Sequence, residues 1–250
     1  MRTQLARKKY YSKINIYYQD VLPYELAEEI IQSLWINNSQ QINENYKLIQ
    51  ETKAKVYKLT FDNQVYYLKS YSPRSTSKIL KNLFRPIEAI RCFQTDLKRN
   101  KADIPAAKPV LAITRKVNCF LVDSIFVTRE VPGIDLFTYM TTSNLNNPEL
   151  RKKIMKKLAI IWSDLINNNF LHIDPGLNNL IIQPEKKDIQ LKLIDIDAIY
   201  SLPFIPKKLL IIKNLLRLKQ RMNFFAATKA ESNLFITHFL KRCILLKNST

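Results

Sequence analysis

The sequence predicts an α+β fold, with a small antiparallel sheet in its first half and a mainly helical second half. Three observations predict it. Between residues 46 and 128, β-branched and aromatic residues gather in short runs separated by turn-forming pairs. Beyond residue 148, two long runs carry apolar residues at helical spacing. Between those runs lie two short apolar stretches flanking a proline-containing turn, which is the pattern of a β-hairpin.

Composition bounds the reading. A chain of 250 residues, 46% hydrophobic, can bury one sizeable core or two small lobes. No stretch of about 18 uncharged apolar residues is present to span a bilayer. Met1 to Tyr10 is basic with no apolar segment behind it, which argues against a cleaved signal peptide. Three scattered cysteines, Cys92, Cys119 and Cys243, suggest reduced thiols in a cytoplasmic setting. The net charge of +19 favours an anionic partner: nucleic acid, an acidic lipid surface or a phosphorylated sugar.

Along the chain, residues 1–40 are expected to form an N-terminal extension with one amphipathic helix, Tyr24 to Trp35. Leu26, Ile30, Ile31 and Leu34 make its stripe, and Asn37-Asn38-Ser39 breaks it. A first lobe then occupies residues 41–131. Its strands are Tyr46 to Gln50, Lys55 to Phe61 and Val65 to Tyr71, with Asp62-Asn63 as a turn pair. Pro86 introduces a helix, Ile87 to Leu97, because proline suits the first helical position. A loop through Ile104-Pro105 and Lys108-Pro109-Val110 enters a strand, and Cys119 to Thr128 forms another. Glu130-Val131-Pro132-Gly133 makes a hinge into a second lobe, residues 132–250. The helix Glu149 to Asn167 carries Leu150, Ile154, Leu158, Ile161 and Leu165 on one face and ends in three asparagines. Trp162 on it is assigned to the core.

The chemistry is concentrated after that helix. Residues 172–182 run His-Ile-Asp-Pro-Gly-Leu-Asn-Asn-Leu-Ile-Ile, and 193–197 run Leu-Ile-Asp-Ile-Asp. A His-x-Asp, an Asn five residues after that Asp, and a hairpin ending in another Asp is the residue order of a kinase-type catalytic apparatus. Phosphoryl transfer needs an in-line hydroxyl and neutralised phosphate charge. Asp174 would orient or accept the hydroxyl proton, and His172 would brace the loop. Asn179 and Asp195 would supply the oxygen ligands that magnesium prefers, while the cation bridges the phosphates of ATP.

In such an apparatus a strand lysine pairs with the α- and β-phosphates and is held by a helix carboxylate. Lys69 sits near the end of the third strand, and Glu88 lies near the start of the next helix about twenty residues later; Asp96 is the weaker candidate for the same role. Glu130 lies in the hinge, where backbone groups from Thr128 to Val131 would meet adenine. Residues 49–56 contain no glycine, so the backbone cannot approach phosphates as a Gly-rich loop does. Lys53 and Lys55 are the candidates to substitute by charge.

These residues resemble the lipopolysaccharide-core kinases, which phosphorylate Kdo or heptose, over about Tyr46 to Arg221. Leu193-Ile194-Asp195-Ile196-Asp197 is similar to that family's Ile-Asp-Phe-Asp, Asn214-Leu215-Leu216-Arg217-Leu218 to its Asn-Leu-x-Arg-Leu, and Ile104 to Val110 to its Ile-Pro-x-Pro-x-Pro-Val. The resemblance implies a bilobal protein-kinase-like fold. It also implies ATP and Mg2+ as cofactors and transfer of the γ-phosphate to a sugar hydroxyl of the inner core. Asp197 takes the family-specific second position, as a loop or acceptor contact. A glycolipid or sugar acceptor and an anionic membrane surface are the implied partners, on the cytoplasmic face of an inner membrane.

Two other functions stand beside it. A pseudokinase, binding nucleotide without turnover, is motivated by the missing glycines. A nucleic-acid-binding protein is motivated by charge alone, with no helix-turn-helix, zinc-finger spacing or aromatic RNA-binding signature to accompany it. The basic, leucine-rich run Lys207 to Arg221 can lie on an anionic membrane or form a buried central helix. Its nearly encircling apolar residues favour the buried helix.

Overall fold

A computed structural model of the chain describes residues 5–36, 44–52, 54–72, 85–118, 121–143, 147–183, 189–222 and 228–245. They form two units. The first comprises residues 1–97 and 108–130, and the second residues 98–107 and 131–250.

The first unit is built on a seven-stranded antiparallel sheet. Its strands are β1 (Ala6–Tyr11), β2 (Ile14–Tyr18), β3 (Tyr46–Glu51), β4 (Lys55–Phe61), β5 (Gln64–Tyr71), β6 (Pro109–Lys116) and β7 (Val122–Arg129), in the order β1-β2-β6-β7-β5-β4-β3. The β4–β5 hairpin turns on Asp62 and Asn63, both at positive φ (48° and 56°), as a two-residue turn between twisted strands requires. Helix α1 (Tyr24–Ile31) continues into a π-turn, Gln32–Ile36, and α2 spans Glu88–Lys101.

Within the expected N-terminal extension, residues 5–36 are not an appendage. β1 and β2 form a hairpin whose second strand pairs with β6, Ile14 opposite Arg115. Ile14, Ile16, Leu26, Ile30 and Ile31 share one buried cluster with Leu59, Leu68, Leu111, Ile113 and Val127. The physical reason is the face of α1: its four buried residues need an apolar partner, and the sheet offers one.

The second unit is mainly helical. Its helices are α3 (Pro148–Asn167), α4 (Lys207–Met222) and α5 (Lys229–Leu245). Asn147 caps α3 by accepting from the Leu150 amide at 3.0 Å. At its other end Asn169 takes the left-handed conformation (φ 60°) that closes a helix. Five short strands complete the unit: β8 (Ile134–Asp135), β9 (Phe170–His172), β10 (Leu180–Gln183), β11 (Gln190–Leu193) and β12 (Ile199–Ser201). They form the sheets β11-β10-β8 and β12-β9. The core gathers Ile154, Leu158, Trp162 and Leu165 of α3 with Leu180, Ile182, Leu193, Leu210, Leu218, Phe235 and Phe239.

Helix α4 departs from the expected buried central helix. Leu210, Asn214 and Leu218 face inward, but Leu209, Ile212 and Leu216 are 43%, 54% and 59% exposed. Sequence periodicity could not separate the two faces because both are apolar.

Candidate active site

β9 delivers the catalytic loop. His172 pairs with Ile199 of β12, and the Ile173 amide donates to the Ala198 carbonyl at 2.9 Å. The imidazole is fully buried, edge-on to Trp162 with centroids 5.2 Å apart. Its Nδ1 accepts the Asp174 amide at 3.2 Å, so the neutral ring carries its proton on Nε2. That hydrogen bond ties the buried ring to the first residue of the loop.

The loop then folds back on itself. The Asp174 carbonyl accepts the Gly176 amide at 2.8 Å and the Asn179 Nδ2 at 2.9 Å. The Asn179 amide donates to the Gly176 carbonyl at 3.1 Å, closing the single 3-10 turn Leu177–Asn179. Asp174 itself stays half-buried, whereas Asn179 is 9% exposed. With Nδ2 used as the donor, the Asn179 amide has its oxygen to offer a cation, which is the chemistry a hard metal requires.

Asn179 and Asp195 lie at the same end of one hairpin. Leu180 pairs with Leu193, and the Ile194 amide donates to the Asn179 carbonyl at 3.0 Å. Asp195 follows at the start of the 3-10 turn Ile196–Ala198, which contains Asp197, and its side chain does not cap that turn. Both carboxylates are half-buried.

A strap holds the hairpin from its other side. The Ala107 amide donates to the Leu193 carbonyl at 2.7 Å, the Leu193 amide donates to the Pro105 carbonyl at 3.1 Å, and Ala106 bridges Leu193 in parallel. Arg99, buried at the end of α2, donates to the Ile104 carbonyl. The Ile104-Pro105-Ala106-Ala107 passage was legible as a motif; its pairing with Leu193, the end of the strand that leads to Asp195, was not. Gly133 is a further supporting residue. At φ 137° it lies so close to the Ile182 carbonyl and the Ile181 Cγ2 that a β-carbon would collide with both. That approach lets β8 pair with β10.

In the first unit, Lys69 stands opposite Val56 of β4 and Phe126 of β7. Directly opposed residues share a face of a sheet, and the Phe126 ring lies 6.2 Å from Phe93 of α2. Lys69 is therefore on the face that α2 covers. The buried side of α2 carries Ala89, Cys92, Phe93, Asp96 and Leu97, with Asp96 fully buried. Glu88 instead pairs with Arg91 at 2.5 Å, and its side chain is 37% exposed. The expected Lys69–Glu88 clamp thus competes with a part-buried pair between successive turns of α2.

The remaining candidates are spread over the sheet. Glu130 pairs with Lys58 at 2.9 Å, and its amide donates to the Val65 carbonyl at 2.9 Å. Lys55 pairs with Glu51 at 3.0 Å across a short β3–β4 turn, closed by the Thr52 amide on the Ala54 carbonyl. Lys53 lies outside the described residues, as do Cys119 and the 184–188 turn.

Comparison with known proteins decides the family. The model of the lipopolysaccharide kinase (Kdo/WaaP) family matches residues 35–239. The chain belongs to the Kdo/WaaP family. Members of this family are lipopolysaccharide kinases, so the protein is a phosphotransferase. The structure of WaaP in complex with acyl carrier protein superposes with a TM-score of 0.66 at 16% identity, covering 88% of each chain. That likeness gives the protein-kinase-like fold. A search of the curated proteins gave no match. Among the described residues, no helix is long and apolar enough to cross a membrane.

Proposed function

We propose that this Kdo/WaaP family member transfers the γ-phosphate of ATP, with magnesium, to a Kdo or heptose hydroxyl of the lipopolysaccharide inner core. The observation that carries the reading is the tie from Asn179 Nδ2 to the Asp174 carbonyl beside the hairpin end that bears Asp195. It couples the residue that handles the acceptor proton to a residue suited to hold a cation.

Asp174 acts as base or orienting group for the attacking hydroxyl. Asn179 and Asp195 hold magnesium, which supplies neutralisation of phosphate charge. Asp197 tunes the loop or meets the acceptor. Lys69 binds the α- and β-phosphates. Asp96 is better supported than Glu88 as its carboxylate partner, because a fully buried aspartate needs a cation or several donors to remain charged. The Arg129 and Glu130 amides are taken by the Lys108 and Val65 carbonyls. The adenine contact therefore falls to the Val131 amide. An acceptor carried on lipid makes the enzyme peripheral to a membrane.

The deciding experiment offers γ-labelled ATP and magnesium with deacylated inner-core oligosaccharides and maps the phosphorylated hydroxyl. Transfer to Kdo or to heptose names the acceptor. Binding of ATP without transfer to any core sugar would replace this reading with that of a nucleotide-binding pseudokinase.

A further inference from the structure

Helix α4 has two apolar faces, and the core uses only one. Leu210 and Leu218 join the core of the second unit, and Asn214 Nδ2 donates to the Leu210 carbonyl at 3.0 Å within that buried row. On the other side, Leu209, Ile212 and Leu216 stand exposed at a spacing of three and four residues, a single helical stripe. Exposed Lys208 and Lys213 flank it. Phe204, in the turn just before the helix, is 97% exposed.

The helix sequence holds six basic residues, Lys207, Lys208, Lys213, Arg217, Lys219 and Arg221, and no acidic one. Complementarity therefore requires an anionic partner for this helix. Apolar side chains flanked by lysines alone match the interface of an anionic bilayer, where the stripe enters the acyl boundary and the ammonium groups meet the headgroups. The stripe from Leu209 to Leu216 is about 10 Å long, two helical turns. That suits shallow insertion by a helix lying in the interfacial plane.

We infer that the outward face of α4, Leu209, Ile212 and Leu216 with Lys208 and Lys213, seats this protein on an anionic lipid surface. The inference deepens the proposed function and rests on its lipid-borne acceptor. The face contains none of the candidate catalytic residues, so surface docking and phosphoryl transfer are separable.

Co-sedimentation of the full chain with phosphatidylethanolamine–phosphatidylglycerol vesicles tests it, against neutral phosphatidylcholine vesicles. The parent should bind the anionic vesicles and release them as salt rises. Lys208→Glu with Lys213→Glu should weaken binding by at least about fivefold per lysine. The triple change Leu209→Ser, Ile212→Ser, Leu216→Ser should abolish it, with an unchanged circular-dichroism melt. Leu216→Trp should bind at least as tightly as the parent and shift its fluorescence to the blue on anionic vesicles alone. Transfer to a deacylated, water-soluble acceptor should be the same in the triple variant as in the parent, so a failed kinase reading would show independently. A parent that ignores anionic vesicles, or a triple variant that binds them like the parent, would overturn the assignment. So would a parent dimer made monomeric by the triple change, which would give the face to a second copy, or loss of binding to an acidic soluble protein with vesicle binding intact.

Discussion

The side-chain amide of Asn179 donates to the main-chain carbonyl of Asp174 at 2.9 Å, across five residues of catalytic loop. On the proposed reading Asn179 would be both a spacer for Asp174, through this bond, and a cation ligand through its side-chain oxygen. Asn179→Ala removes both roles, and Asn179→Asp retains an oxygen ligand but loses the donor. We expect transfer to fall by roughly 100-fold or more for alanine, and by less for aspartate at saturating magnesium. Magnesium titrations of the transfer rate check this; equal losses in the two variants would deny the second role.

Asp174→Asn should lower transfer on the order of 10² to 10⁴-fold while ATP affinity holds. The carboxylate is half-buried and is no part of the apolar core, so the fold should persist. Turnover beside calorimetric ATP binding measures it. Transfer at the parent rate would remove Asp174 from the mechanism.

Asp96 and Glu88 should separate cleanly. Glu88→Gln weakens a part-buried pair with Arg91 inside one helix and should cost about 1 kcal/mol. Asp96→Asn alters a fully buried group and should raise the KM for ATP by about tenfold or more, with partial rescue by Asp96→Glu. If Glu88→Gln raises that KM and Asp96→Asn does not, the Glu88–Arg91 pair opens in the working enzyme and Glu88 is the partner.

The buried pair between Arg151 of α3 and Glu231 of α5, at 2.5 Å, makes stability depend on acid. The Arg151 guanidinium holds the Glu231 carboxyl below its ordinary range, and hydrogen bonds from Thr228 add to the effect. A lowered folded pKa means that the contribution is complete above the unfolded value near 4.5 and is lost as pH falls through the folded value. Glu231→Gln should cost about 3 kcal/mol at neutral pH. Its melting temperature should also fall less than the parent's between pH 5 and pH 3, a window set by that downward shift. Parallel melting curves for the two proteins over that window would show the pair to be inert.

Gly133→Ala should destabilise the second unit by about 1 to 3 kcal/mol. Its φ of 137° disfavours any side chain, and the Ile182 carbonyl blocks a β-carbon. Denaturant midpoints measure the loss. A midpoint like the parent's would mean that β8 can part from β10 at no cost.

Much of this architecture was legible because the signals were local. Asp62-Asn63 marks its hairpin, Pro86 stands just before α2, and the paired apolar runs around 184–188 give β10 and β11. The candidate segment shows as a motif because His172, Asp174 and Asn179 lie within eight consecutive residues, from the end of β9 through the turn that follows. What escaped was non-local or short. β9 and β12 have three residues each, too few for periodicity to register. The choice between Glu88 and Asp96 turns on which face of α2 is buried, and spacing from Lys69 does not report it. α5 did carry a signal. Thr228 and Glu231 form a capping box, with the Thr228 amide on Glu231 Oε2 at 2.8 Å and the Glu231 amide on Thr228 Oγ1 at 3.2 Å.

The junction of β2 with β6 orders events at the ribosome. About a hundred residues separate Ile14 from its partner Arg115. β1 and β2 therefore cannot complete their sheet until β6 has left the exit tunnel. Until then, β2 has no neighbour but β1 to pair with, and the cluster under α1 lacks Leu111, Ile113 and Val127. Nascent chains halted before residue 109 should engage holdase chaperones, and those halted well beyond 129 should release them, since long-range strand pairing is the slow step of assembly.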